Sequence, residues 1–144
     1  MIELVRVTVS PEPQMISVVN AGLNALCCQI NFTDEQCRRL QLATEEIFLY
    51  SLHTIRRAGL KSPVTVRFRT QSSAFQIALE YAGPRGALDM YLKPGHLQSM
   101  RVNNFQGLGL CLAANTIDSL SAAYWSLEGV NSYVLSLNEQ KVKD

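Results

Sequence analysis

Gln106-Gly107-Leu108-Gly109-Leu110 runs without interruption into the apolar stretch Cys111 to Leu120, a glycine-punctuated loop entering a helix. Gly107 and Gly109 admit backbone angles closed to other residues and let a ligand reach the main chain. The helix behind them points unpaired N–H groups forward, so its start can receive phosphate or another anion. The same spacing also serves a tight turn that packs a helix closely on a sheet, and both readings stand. Elsewhere the reactive residue types are dispersed. Cys27, Cys28, Cys37 and Cys111 lack the spacing of a metal site or of a secreted disulfide framework, and no metal ligands are expected. All four read as small buried hydrophobes in a reducing cytoplasm.

The elements that must position these residues follow from periodicity. Ile2 to Val9 is rich in β-branched residues and predicts a strand that ends at Ser10-Pro11-Glu12-Pro13. Ser10 is the expected cap of a helix carrying Met15, Val18, Val19, Leu23, Leu26 and Ile30 at helical spacing. Thr33-Asp34-Glu35-Gln36 has the pattern of a capping box, and Phe32 with Cys37 that of a hydrophobic staple. The second helix should run through Leu40, Ala43, Ile47, Tyr50 and Thr54 to about Ala58, with Gly59 as its left-handed stop. Then the period becomes two: Val64, Val66 and Phe68 in one strand, and Phe75, Ile77, Leu79 and Tyr81 in the next, with Gln71-Ser72-Ser73 as the hairpin turn. From Ala82 to Phe105 periodicity is lost, which predicts a long loop of the kind that binds or covers a ligand. After the central helix, Ala122 to Leu127 and Asn131 to Leu137 read as two final strands.

At 144 residues and 47% hydrophobic, the chain suits one domain spanning 1–144 with a sizeable core. A net charge of +1 gives no electrostatic reason to expect nucleic acid or an anionic membrane as partner. The pairs Arg38-Arg39 and Arg56-Arg57 read as solvated charge. No apolar run approaches the roughly 20 residues of a membrane helix, so a soluble cytoplasmic protein is expected. The order strand, helix, helix, strand, strand, long loop, helix, strand, strand predicts an α+β fold, a two-layer sandwich with helices on one face of a mostly antiparallel sheet.

That order, the long loop before Gly107-Leu108-Gly109-Leu110, and Leu42-Ala43-Thr44-Glu45-Glu46 on the second helix resemble the Bergerat-type ATPase domain shared by gyrase, histidine kinases and bacterial anti-sigma-factor serine kinases. Ile117-Asp118 followed by Tyr124, and Gly129-Val130-Asn131, are similar to the C-terminal pattern of the anti-sigma type. The resemblance implies a catalytic glutamate at Glu46 and, four residues on, a magnesium-holding asparagine whose position is Tyr50. It implies an adenine-binding aspartate where Tyr81 stands, two residues before the matching Gly83, and phosphate contacts at Gly107 and Gly109. A neutral phenol is a poor donor for magnesium, and its ring would occupy part of an adenine pocket. Asp89 is the nearest carboxylate downstream. The expectation is a regulatory module with a degraded ATP site that binds a sigma factor or an antagonist, and no cofactor. The alternative implied by the resemblance is an active serine/threonine kinase using ATP and magnesium. A third is a homodimer paired through the edge at Ile2 to Val9.

Overall fold

In the computed structural model, residues 1–86, 109 and 114–138 are described. They comprise β1 (Ile2–Val9), a 3-10 turn (Pro13–Met15), α1 (Ile16–Gln29), α2 (Asp34–Arg57), β2 (Val64–Gln71), β3 (Ala74–Ala82), β4 (Ser119–Trp125) and β5 (Val130–Asn138). The strands form one antiparallel five-stranded sheet in the order β1-β2-β3-β5-β4. The fold class is α+β, as the change of period predicts.

Alternation along the strands decides which face the helices cover. Val66, Leu79 and Tyr133 stand opposite one another across β2, β3 and β5, and so do Phe68, Ile77 and Leu135. All six are buried, in one cluster with Val19 and Leu23 of α1 and Leu40, Ile47, Phe48 and Ile55 of α2. Each such side chain contributes about 1.5–3 kcal/mol on leaving water, which outweighs the weak intrinsic preference of short segments. The opposite face carries Thr65, Arg67, Gln76 and Glu80, where Arg67 forms ion pairs with Glu80 and with Glu3 of β1.

Helix α2 begins as its sequence dictates. The Thr33 hydroxyl accepts from the Gln36 N–H at 3.1 Å, and the Gln36 side chain accepts from the Thr33 N–H at 2.9 Å. It ends at Arg57, with Gly59 at φ 70°. A side chain there would be held in the left-handed region that glycine occupies freely. The hairpin between β2 and β3 also sits where the turn residues place it, with Ser72 at φ 56° and Gln71 opposite Ala74.

Three local expectations require correction. Ser10 caps no helix: a 3-10 turn intervenes, its first residue preceded by Glu12, and α1 starts only at Ile16 without any side-chain cap. Pro11 and Pro13 restrict the preceding residues to extended geometry and delay the helix. Nor are the cysteines uniformly buried and free. Cys27 and Cys37 are joined across α1 and α2, their Cα atoms 6.1 Å apart, and Cys28 is exposed. Phe32, expected to staple to Cys37, packs with it against the core and meets Phe75 edge-on at 5.8 Å between ring centres. Finally, the stretch ending at Leu120 is not helical throughout. Gly109 and Ala114–Thr116 are helical, Ile117 and Asp118 bend, and Ser119 already begins β4. Gly107, Cys111, Asp89 and the expected loop from 87 to 105 lie outside the described residues.

Candidate functional site

Helix α2 brings Glu46 and Tyr50 to one side, a turn apart, as i, i+4 spacing requires. Glu46 is half-buried, and its carboxylate lies directly against the backbone at Gly109. A methyl group added at Gly109 would overlap Oε2 of Glu46 and stand 3.0 Å from its carboxyl carbon. The chain therefore places two of the sequence-derived site residues in contact, and only glycine gives the carboxylate this approach. Burial is the main reason the Glu46 carboxyl is pushed above its ordinary value, and the charge of neighbouring Glu45 adds to it. Glu45 itself accepts a hydrogen bond from the Asn20 amide of α1 at 2.9 Å.

Tyr50 stands in a different environment. It is 6% exposed and packs edge-on against Tyr133 of β5, with ring centres 5.9 Å apart. Tyr81 of β3 meets the same Tyr133 ring at 5.7 Å, and the two hydroxyls are hydrogen-bonded at 2.6 Å. Three phenols from α2, β3 and β5 thus form one buried cluster. Desolvation is the largest influence on the Tyr81 hydroxyl and raises its pKa, partly offset by its bonds to Tyr133 and Thr54. A buried tyrosine is stable when its hydroxyl finds a partner, which this cluster supplies internally.

The segment after β3 closes over these rings. The Gly83 N–H donates to the Gly129 carbonyl at 2.9 Å, and the Tyr124 hydroxyl donates to the Gly83 carbonyl at 3.1 Å. Asn131 then clamps the next residues, its amide donating to the Pro84 carbonyl at 2.9 Å while its Oδ1 accepts from the Gly86 N–H at 2.8 Å. Gly86 is drawn so close that a methyl group there would overlap the Tyr133 hydroxyl and lie 3.2 Å from that of Tyr81.

Tyr81, Gly83 and Tyr50 are therefore neighbours of one packed unit, and Glu46 with Gly109 forms a second contact one turn away. Gly107 falls outside the described residues. Tyr133, Asn131 and Gly86 carry as much of this geometry as the residues singled out from sequence. A signal for Asn131 was present: it is a polar side chain at an inward strand position beside Tyr133, and a buried amide must find partners.

The Tyr50 side chain is enclosed among rings, and no group of three or more His, Cys, Asp or Glu converges among the described residues. Magnesium is held by hard oxygen donors, of which the Glu46 carboxylate is one and a neutral phenol a poor substitute.

No protein-family model matches the chain, and no curated protein matches it in sequence. Among solved structures, it is similar to a chain in the SiaB–SiaC complex of Pseudomonas aeruginosa, with a TM-score of 0.69 and 13% identity. The likeness covers 94% of this chain and 89% of that one. At that identity the likeness establishes the fold. No helix among the described residues is long and apolar enough to cross a membrane.

Proposed function

We propose that this protein is a regulatory module of the anti-sigma-kinase type, a two-layer Bergerat-type sandwich whose nucleotide site has become a packed aromatic core, and that it works by binding a protein partner. The observation that carries the reading is the hydroxyl-bonded pair Tyr81–Tyr133 with Gly86 seated on it, in the space beside Tyr50 where the resemblance would put adenine and magnesium. The structural neighbour, crystallised as a SiaB–SiaC complex, supports a protein as the class of ligand. A sigma factor or an antagonist of one is the partner class that the resemblance favours. Fold alone does not fix chemistry, and the packed tyrosines are what distinguish this site.

Isothermal titration with Mg-ATP and Mg-ADP tests this reading. No heat beyond dilution is expected for either nucleotide, and micromolar binding of either would overturn it.

One observation favours a second reading, an active serine kinase. Glu46 lies against the helical residue Gly109, and burial raises its pKa, which makes it a stronger base than an exposed carboxylate. That reading requires Glu46→Gln to abolish phosphate transfer to a serine of a partner protein. Transfer that persists in the variant removes Glu46 from the role.

A further inference from the structure

A groove of about 600 Å³ lies at the far end of α2, away from Glu46. Its lining comes from the connection after β1, through Pro11 and Glu12, and from the end of α2 and the residues beyond it, through Ile55, Arg56, Leu60 and Lys61. Ile55 is buried at the floor, while Leu60 is 41% exposed at the rim. Arg56 and Lys61 are exposed beside it.

Charge decides what this groove accepts. A helix C-terminus carries negative partial charge on its last carbonyls, which would repel an anion. Here three of them are engaged: the Thr54, Ile55 and Arg56 carbonyls accept from the N–H groups of Ala58, Leu60 and Gly59 respectively. The helix end therefore presents Arg56 and Lys61 with most of its acceptors engaged. Glu12, the one carboxylate in the lining, already accepts a hydrogen bond from the Gln14 amide at 2.7 Å. The lining therefore carries two cations, Arg56 and Lys61, against one carboxylate, and is net positive beside its apolar residues. Grooves of this size hold a few side chains with a small number of polar anchors.

We infer that this groove is where an acidic, leucine-bearing segment of the partner polypeptide docks, its apolar side chain entering between Pro11, Ile55 and Leu60 and its carboxylates meeting Arg56 and Lys61. The inference rests on the partner-binding reading above and gives that partner a chemistry and a place. It also connects the groove to the closed site. The Leu60 methyl lies 3.4 Å from where a side chain on Gly83 would begin, so an occupant pressing on Leu60 bears on the segment that covers the tyrosines.

The test is a titration of the full 15N-labelled chain, followed by amide chemical shifts. The probe is a short acetylated and amidated peptide alternating glutamate and leucine, and the control is the same peptide with lysine in place of glutamate. Saturable shifts confined to the amides of 10, 12 and 55–61 are expected with the acidic peptide and not with the basic one. The double variant Arg56→Glu/Lys61→Glu should weaken binding about tenfold or more, because each reversal replaces attraction by repulsion. Both positions are exposed, so the variant's own spectrum should otherwise be unchanged. Absence of shifts at these residues, equal shifts from the lysine peptide, or an unaltered affinity in the double variant would overturn the inference. These outcomes are separable from the nucleotide titration: nucleotide binding sinks the reading of the filled site and leaves the groove standing, and a silent groove does the reverse.

Discussion

One turn of α2 separates Glu46 from Tyr50, and the two side chains meet opposite surroundings. Around Tyr50 the volume is filled by rigid rings whose hydroxyls bond to one another, and Gly86 is pressed onto them from outside. Around Glu46 a charged group on a flexible stem rests against Gly109, half-buried and held above its ordinary pKa. Both places depend on a glycine at closest approach. The difference is in what the glycine touches: the fixed tip of an aromatic ring in one case, the movable end of a carboxylate in the other. Packing thus makes the first region intolerant of added volume, while the second can give way and retains an ionisable group.

The two glycines provide the sharpest test. Gly86→Ala drives a methyl into the Tyr133 hydroxyl, which cannot retreat without breaking its bond to Tyr81, and overpacking of this kind costs about 2–3 kcal/mol. At Gly109→Ala the nearest atoms are those of the Glu46 carboxylate, the movable end of a flexible side chain, so the expected loss is under about 1 kcal/mol. Urea unfolding of both variants measures the contrast. Equal losses would mean that the tyrosine cluster yields as easily as the glutamate.

A smaller effect isolates the hydroxyl pair. Tyr81→Phe keeps the ring and removes one partner of a buried bond, for an expected loss of about 1–2 kcal/mol by the same measurement. Combining it with Tyr133→Phe should cost less than the sum of the single changes, since the second loses a bond already absent. Strict additivity would show that the two hydroxyls are not coupled.

Much of this architecture was legible before the structure. The capping box at Thr33, the stop at Gly59, and the inward faces of β2, β3 and β5 rest on local rules of hydrogen bonding and alternation, and each is found where the residues place it. Local rules were less reliable where they competed. Ser10 looks like a cap, but Pro11 and Pro13 hold the chain extended and shift the start of α1 to Ile16. Arg39, read as solvated charge, donates to the Thr116 carbonyl at 2.6 Å and ties α2 to the helical residues that precede β4. The Cys27–Cys37 link and the meeting of Tyr81 with Tyr133 join residues distant in the chain or on different elements. Periodicity assigns each a face but not the neighbour it finds there. The apposition of Glu46 and Gly109 has the same character, since it depends on how two helical segments sit together.

The smallest expected effect concerns the charge of Glu46 and tests whether its region is held under electrostatic tension. Its carboxyl ionises in the unfolded chain near the ordinary 4.5 and in the folded chain at a higher pH, so the folded state binds the proton more tightly. Below about pH 4 the group is neutral in both states and exacts no penalty. As pH rises above 4.5 the unfolded chain ionises first and gains relative to the folded one. Stability falls until the folded group ionises too, and then levels. Glu46→Gln removes this loss, so the variant should match the parent near pH 4 and exceed it at pH 7. Screening at a half-exposed position keeps that gain under about 1 kcal/mol. Unfolding curves for both proteins across this range measure it. A variant less stable than the parent at pH 7 would show that the carboxylate is favourably held against Gly109, which would leave the contrast with Tyr50 resting on shape alone.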